Sequence, residues 1–138
     1  DPMQPALAGL VLGAADRVPV IMAGGTQMAA VLAVVKALNP DILDNLAVGT
    51  TRWILADKTA DMKGLVAEIA DVPLLAADLD FSRSRFDGLR AYEAGVVKEG
   101  VGCGGAAMAA MLKSNGKITK SVLLKEIENN YTQLVNTK

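Results

Sequence analysis

A glutamate precedes a glycine-rich segment in the last third of the chain. Glu99 is followed by Gly100-Val101-Gly102-Cys103-Gly104-Gly105, and a helix is expected over residues 106–112. Glycines leave room for a ligand beside a carboxylate, and partial desolvation raises the pKa of such a group toward neutral pH, where it works well as a base. The pattern predicts a general base in a binding pocket. The alternative is that the glutamate only interacts favourably with the N-terminal dipole of the helix.

A second candidate site is the turn Gly24-Gly25-Thr26. It follows a short apolar run, residues 18–23, and precedes a helix expected over residues 27–38. The backbone amides of a glycine turn and the N-terminus of a helix favour an anion such as phosphate, and the threonine hydroxyl adds a donor. The turn predicts phosphate binding. A plain strand-to-helix turn has the same glycine requirement and is the alternative.

Thr51 and Arg52 follow the next expected strand, residues 46–50. A hydroxyl and a guanidinium at this position are candidates for contacts with a phosphate or with ribose hydroxyls. The alternative is structural, with Arg52 paired to a nearby acid and Trp53 packed against other side chains.

Composition excludes several classes of function. Fourteen basic residues against fifteen acidic ones give a net charge of −1, which offers no electrostatic footprint for nucleic acid or an anionic membrane. The absence of histidine excludes histidine triads and most zinc sites. The single cysteine, Cys103, favours a reducing, cytoplasmic setting and is interpreted as a small packing residue, because no histidine can activate it. Asp78 and Asp80 resemble half of a metal site that nothing completes, so no metal and no cofactor are predicted.

Short apolar runs alternate with helical patterns along the chain, which is typical of a mostly parallel α/β sheet. Strands are expected over residues 18–23, buried on both faces, over 46–50 with an exit around 53–55, and over 72–77. Helices are expected over residues 5–15, 27–38, 62–69, 89–97 and 106–112 and from residue 119 onward, and an exposed loop over 78–87. We therefore expect one domain over residues 1–138, with a doubly wound Rossmann-like sheet covered by helices on both faces. A C-terminal amphipathic helix falls within residues 117–138, and the start at Asp1 without a methionine suggests a truncated chain.

Three segments in order resemble the C-terminal half of the nicotinate-nucleotide–dimethylbenzimidazole phosphoribosyltransferase family. They are residues 19–30, 50–53 and 99–106. Residues 79–84 and 89–95 bring the likeness closest to the archaeal-type branch, and it runs from about residue 1 to residue 112. Cys103-Gly104 departs from the family, since many relatives carry Thr-Gly or Ala-Gly there.

The resemblance implies a reaction and a set of site residues. The family transfers the phosphoribosyl group of nicotinate mononucleotide to an aromatic base such as 5,6-dimethylbenzimidazole, giving α-ribazole phosphate and nicotinate for cobalamin-type cofactors. It places the catalytic base on Glu99 and requires no metal. The substrate-binding residues that it implies are Gly24, Gly25, Thr26, Thr51, Arg52, Gly100 and Gly102. It further implies a cytoplasmic homodimer whose N-terminal half, absent from this chain, supplies further glycine loops.

Two other functions are compatible with the sequence. A nucleotide-binding or assembly module without catalysis of its own would bind ligand or dimerise with no turnover. A dinucleotide-binding Rossmann module fits less well, because neither glycine turn spells G-x-G-x-x-G after the first strand with an acid about 20 residues further on.

Overall fold

Three parallel strands form the sheet of this protein, of which a computed structural model describes residues 1–96 and 100–136. The strands are β1 (Val20–Ala23), β2 (Leu46–Thr51) and β3 (Leu74–Ala77). Their order in the sheet is β1-β2-β3, so β2 is central. The register places Met22 beside Val48, and Val48 beside Leu74. All three carboxyl ends therefore meet at one edge of the sheet, the edge at which parallel sheets bind ligands.

Seven α-helices surround the sheet in the described part of the chain. They are α1 (Met3–Ala15), α2 (Thr26–Leu38), α3 (Arg52–Ala56), α4 (Met62–Ile69), α5 (Asp87–Arg90), α6 (Gly102–Lys113) and α7 (Lys120–Asn136). A 3₁₀ helix, Pro40–Asn45, connects α2 to β2, and the Asn39 side chain caps it by accepting a hydrogen bond from the Asp41 amide. None of the helices in residues 1–96 and 100–136 is long and apolar enough to cross a bilayer.

Helices pack on both faces of the sheet. On one face, Met22 and Val48 belong to a core cluster with side chains of α1, α2 and α4, among them Val31 and Leu32. On the other face, α6 contacts all three strands, and its Ala107 joins Ala77 in a second cluster that α7 covers. The protein is therefore a mixed α/β structure with a three-stranded parallel sheet, as the alternation of apolar runs and helices predicted.

The long helices were predicted well and the short elements less well. The expected helices for α1, α2, α4 and α7 are confirmed to within a few residues, whereas α6 begins at Gly102 rather than at residue 106. The prediction that β1 is buried on both faces was wrong. It is an edge strand in the described sheet, and Ala23 is exposed.

Two segments that flank the second cluster also differ from expectation. Residues 53–55 are not the exit of a strand: they lie in α3, where Trp53 joins the second cluster and Ile54 the first. The loop 78–87 is not simply exposed, because Leu79 and Phe81 fill the second cluster.

The helix expected over residues 89–97 is shorter than predicted. It ends at Arg90, and hydrogen-bonded turns continue to Gly95, whose φ of +69° does not fit a helix. Residue 97 lies outside the described residues.

Candidate functional site

The two glycine segments meet beside one cavity at the carboxyl end of the sheet. Gly25 follows β1, and a β-carbon built on it would lie 3.1 Å from Cγ2 of Val101, the residue before α6. The cavity between them has a volume of about 350 Å³. It is lined by Gly25, Thr26, Gln27, Ile54, Ala60, Gly100 and Val101. We call it the first cavity. The structure thus brings Gly25, Thr26 and Gly100, all predicted site residues, to one place.

Close packing of α6 on the sheet puts its N-terminus at this cavity. A β-carbon on Gly104 would overlap the carbonyl of Thr50, and one on Gly105 would lie 2.5 Å from the β-carbon of Ala23. Only glycine allows the helix to approach the strands at backbone distance. These two glycines therefore serve helix–sheet packing, whereas the glycine that borders open space for a ligand is Gly100.

Gly100 adopts a backbone conformation that favours glycine, with φ of +68°. Gly102 begins α6, and a β-carbon on it would lie 3.5 Å from the carbonyl oxygen of Ala23, so it packs on β1 and is not among the residues that line the first cavity. Glu99, the predicted base, lies outside the described residues. In the chain it immediately precedes Gly100.

The N-termini of α2 and α6 border the first cavity. Neither α2 nor α6 has a side-chain cap at its N-terminus, so first-turn amides of both helices are left without a capping side chain. Thr26 and Gln27 add a hydroxyl and a carboxamide, and none of the described residues that line the cavity is charged. Amides and two helix dipoles of this kind suit an anionic group such as phosphate.

The remaining predicted site residues do not line the first cavity. Gly24 is buried, donates its amide to the carbonyl of Gly49 at 2.9 Å and thereby extends the pairing of β1 with β2. Thr51 is buried at the start of α3 and its side chain makes no capping hydrogen bond.

Arg52 is engaged within the protein. Its Nε donates to the carbonyl oxygen of Leu79 and its Nη2 to the carboxylate of Glu93. The guanidinium carbon lies 5.2 Å from the ring centre of Trp53. Arg52 thus pairs with an acid and packs on Trp53, as its structural alternative predicted. It links the segment after β3 to the turn that follows α5.

A second cavity, of about 360 Å³, lies on the other side of α3. Trp53 and Tyr92 line it together with Glu93, Gly95 and the segment 56–59. Ile54 borders the first cavity and Trp53 the second, so α3 separates the two. Gly95 borders the second cavity and Gly100 the first, and Glu99 stands between these two glycines in the sequence.

Sequence reasoning did not single out several of these residues. Ile54 was assigned to a strand exit, and Gln27 and Val101, which stand in the two glycine segments, were not predicted to line a cavity. Glu93 was also missed, since its pairing with Arg52 joins positions 41 residues apart. The signals in the sequence that could have found Gln27 and Val101 are the two glycine segments beside them.

No metal site is found in residues 1–96 and 100–136, where no group of three or more potential ligand side chains converges. Asp78 pairs with Lys120 at 2.9 Å. The side chain and the amide of Ser82 donate to Asp80 and hold the pKa of that carboxyl below its usual value. Cys103 is exposed in an apolar groove between α6 and α7, which differs from the packing role expected for it, and desolvation there raises the pKa of its thiol.

Comparison with known proteins gives close relatives that are longer than this chain. A UPF0284 protein of Gloeobacter violaceus is 57% identical over 117 residues, which cover 81% of this chain and 31% of the relative. UPF0284 proteins of Sulfolobus acidocaldarius and Methanopyrus kandleri are 43% and 45% identical, covering 98% and 95% of this chain and 38% and 34% of their own lengths.

The chain thus spans about a third of the length of these relatives. No family model matches it. Relatives in archaea and cyanobacteria fit the archaeal-type resemblance in general terms, and their names specify no phosphoribosyltransferase activity.

Proposed function

We propose that this chain supplies part of the active site of a phosphoribosyltransferase that uses nicotinate mononucleotide and an aromatic base such as 5,6-dimethylbenzimidazole. The observation that supports this proposal best is the meeting of the two glycine segments at the first cavity. Gly25 and Thr26 come from one segment and Gly100 from the other, next in the chain to the carboxylate of Glu99. The proposal combines a phosphate-binding helix N-terminus with a proton acceptor, the carboxylate of Glu99.

The proposed reaction needs one proton acceptor. Amides of the first turn of α2 and the hydroxyl of Thr26 bind the 5′-phosphate of nicotinate mononucleotide. The Glu99 carboxylate accepts the imidazole N–H proton of the base, and the freed nitrogen forms a bond to C1′ of the ribose. The bond from C1′ to the nicotinate nitrogen breaks and its electron pair returns to the pyridine ring. The products are α-ribazole phosphate and nicotinate, and no metal takes part in this scheme.

The proposal includes a doubly wound Rossmann-like sheet in the complete molecule. The described strands wind in one direction, β1-β2-β3, and helices cover both faces. A doubly wound sheet would continue beside β1 with strands wound in the opposite direction. The first cavity lies at the carboxyl end of β1, where such a reversal would create the usual ligand-binding crevice.

Turnover by a Glu99→Gln variant tests the function. The full-length protein is incubated with nicotinate mononucleotide and 5,6-dimethylbenzimidazole, and α-ribazole phosphate is measured. We expect the variant to lose roughly 10²–10⁴-fold in kcat, the usual contribution of a general base. Glu68→Gln, at an exposed position of α4, is the matched control and should keep full activity. Equal turnover by Glu99→Gln and the control would show that Glu99 is not the general base.

The same assay separates this proposal from a non-catalytic nucleotide-binding or assembly module. The observation in favour of that alternative is the lack of charged side chains among the described residues that line the first cavity. It predicts that nicotinate mononucleotide binds, or that the protein dimerises, without product at any enzyme concentration. A cytoplasmic homodimer remains part of our proposal, and sedimentation of the purified protein tests its dimeric state.

A further inference from the structure

We infer that the second cavity is the site of the aromatic base. The inference rests on the proposed function, because it names the place of the second substrate. It starts from a contrast between the two cavities: the first is lined by glycines, Thr26, Gln27 and aliphatic residues, whereas the lining of the second includes the aromatic residues Trp53 and Tyr92.

The rings of the second cavity are held by their neighbours. The Trp53 ring centre lies 5.0 Å from that of Phe81 and 5.3 Å from that of Tyr92, and Phe81 and Tyr92 meet edge to face. Arg52 lies over the indole and is fixed by its bond to Glu93. Aromatic side chains fixed in this way present a ring-lined wall at little cost in conformational entropy, and aromatic pairs gain beyond the area they bury.

The size and the polar rim of the second cavity suit a flat heteroaromatic ligand. Its volume of about 360 Å³ lies within the range of roughly 300–1,000 Å³ for small-molecule pockets, so it can hold a bicyclic base. Asp57, Lys58 and Glu93 stand at its edge. Both Glu93 oxygens already accept hydrogen bonds, from Arg52 and from the Phe81 amide. A carboxylate oxygen can accept a second hydrogen bond, so charged groups beside aromatic residues suit an azole with an N–H edge better than a hydrocarbon.

One residue that borders the second cavity is close in sequence to Glu99. Gly95 borders this cavity and Gly100 borders the first cavity, and Glu99 stands between these two glycines in the sequence. A base held beside Trp53 and a nucleotide held at the α2 N-terminus would each lie near a glycine that is close in sequence to the proposed proton acceptor.

Trp53 fluorescence tests the inference directly, because Trp53 is the only tryptophan of the 138-residue chain. The chain is titrated with 5,6-dimethylbenzimidazole in the absence of nucleotide, and free tryptophan amide is titrated in parallel to correct for light absorbed by the ligand. We expect saturable quenching of Trp53. Imidazole, which has the azole edge without the fused ring, should bind at least tenfold more weakly. A Trp53 signal that follows the free-amide control throughout would overturn the inference.

A matched pair of variants locates the ligand. Tyr92→Leu removes one ring of the second cavity and should weaken binding roughly fivefold, the fold-change that an aromatic contact of about 1 kcal/mol implies. Tyr131→Leu makes the same change in α7, where the ring packs on Phe86, and should leave the affinity unchanged. Circular dichroism confirms that both variants fold. Equal affinities of the two variants would contradict the placement.

These outcomes are separate from those of the turnover assay. Saturable quenching that Tyr92→Leu weakens, combined with no product from the full-length protein, would support an aromatic-ligand site and reject phosphoribosyl transfer. Product formation by the full-length protein without any response of Trp53 to the base would support the transfer and reject the second cavity as the base site.

Discussion

Gly105 of α6 lies directly against Ala23 of β1, with no room for a side chain between them. A β-carbon on Gly105 would lie 2.5 Å from the β-carbon of Ala23 and 3.1 Å from the carbonyl oxygen of Gly49. Helix and sheet therefore approach each other at backbone distance. This approach brings the N-terminus of α6, and with it Gly100 and Val101, to the first cavity.

Substitution of Gly105 by alanine tests this packing. We expect Gly105→Ala to lower the free energy of unfolding by about 2 kcal/mol, because the added methyl group has to push α6 away from β1 and β2. The measurement is urea denaturation followed by circular dichroism. Gly9→Ala in α1 is the control: its β-carbon would meet nothing within 4 Å, and it should raise the free energy of unfolding by about 0.5–1 kcal/mol. Equal changes in the two variants would contradict the packing argument.

The sequence predicts the fold where a pattern is local and long. The helix α2 was expected because a glycine turn starts it and Asn39-Pro40 ends it, and both signals lie within the segment itself. Three apolar residues, Trp53-Ile54-Leu55, are too few for periodicity to separate helix from strand. Their helical form follows from long-range packing, since Trp53 contacts Phe81 and Tyr92 far along the chain.

The sequence indicated which segments form the site and did not indicate the role of each glycine. Five glycines between positions 95 and 105 indicated a close approach of some kind. Which of them meets a strand and which borders a cavity depends on the distance between α6 and the sheet, and no local pattern encodes that distance. Gly104 and Gly105 proved to be packing residues, whereas Gly100 lines the first cavity.

Replacement of Arg52 distinguishes a structural role from substrate binding. Arg52→Lys should lower the free energy of unfolding by about 1 kcal/mol, because a lysine cannot serve the Leu79 carbonyl and the Glu93 carboxylate together. The value is modest because the Arg52 side chain is 39% exposed and solvent screens the ion pair. Thermal denaturation and the KM for nicotinate mononucleotide are measured on the same sample. Unchanged stability with a raised KM would assign Arg52 to the substrate instead.

Thr50 carries a buried hydroxyl with no hydrogen-bond partner among the described residues. Its side chain is fully buried at the carboxyl end of β2. Thr50→Val keeps the shape and removes the unsatisfied group, so we expect the free energy of unfolding to rise by about 1 kcal/mol. Thr51→Val, at the neighbouring buried threonine, provides the comparison and should give no gain, because the Thr51 hydroxyl is not among the unsatisfied buried groups of the described residues. A loss of stability in Thr50→Val would show that the hydroxyl has a partner.

Glu128 makes the docking of α7 depend on pH. Its carboxylate accepts hydrogen bonds from the Ser84 hydroxyl at 2.7 Å and from the Arg85 amide at 2.9 Å, and these bonds hold the pKa of Glu128 below its ordinary value of 4.5. Because the folded pKa is the lower one, the stabilisation is fully present above the ordinary value and is lost as the pH falls through the folded pKa. Glu128→Gln should therefore be less stable than the parent chain at pH 7, and the two free energies of unfolding should converge as the pH is lowered below about 4.5.

Urea denaturation across this pH range measures the difference in the free energy of unfolding, and Glu126→Gln on the same helix should follow the parent chain more closely. If the free energy of unfolding of Glu128→Gln stays below that of the parent chain by the same amount from pH 7 to pH 3, the charge of Glu128 does not stabilise the contact of α7 with Ser84 and Arg85.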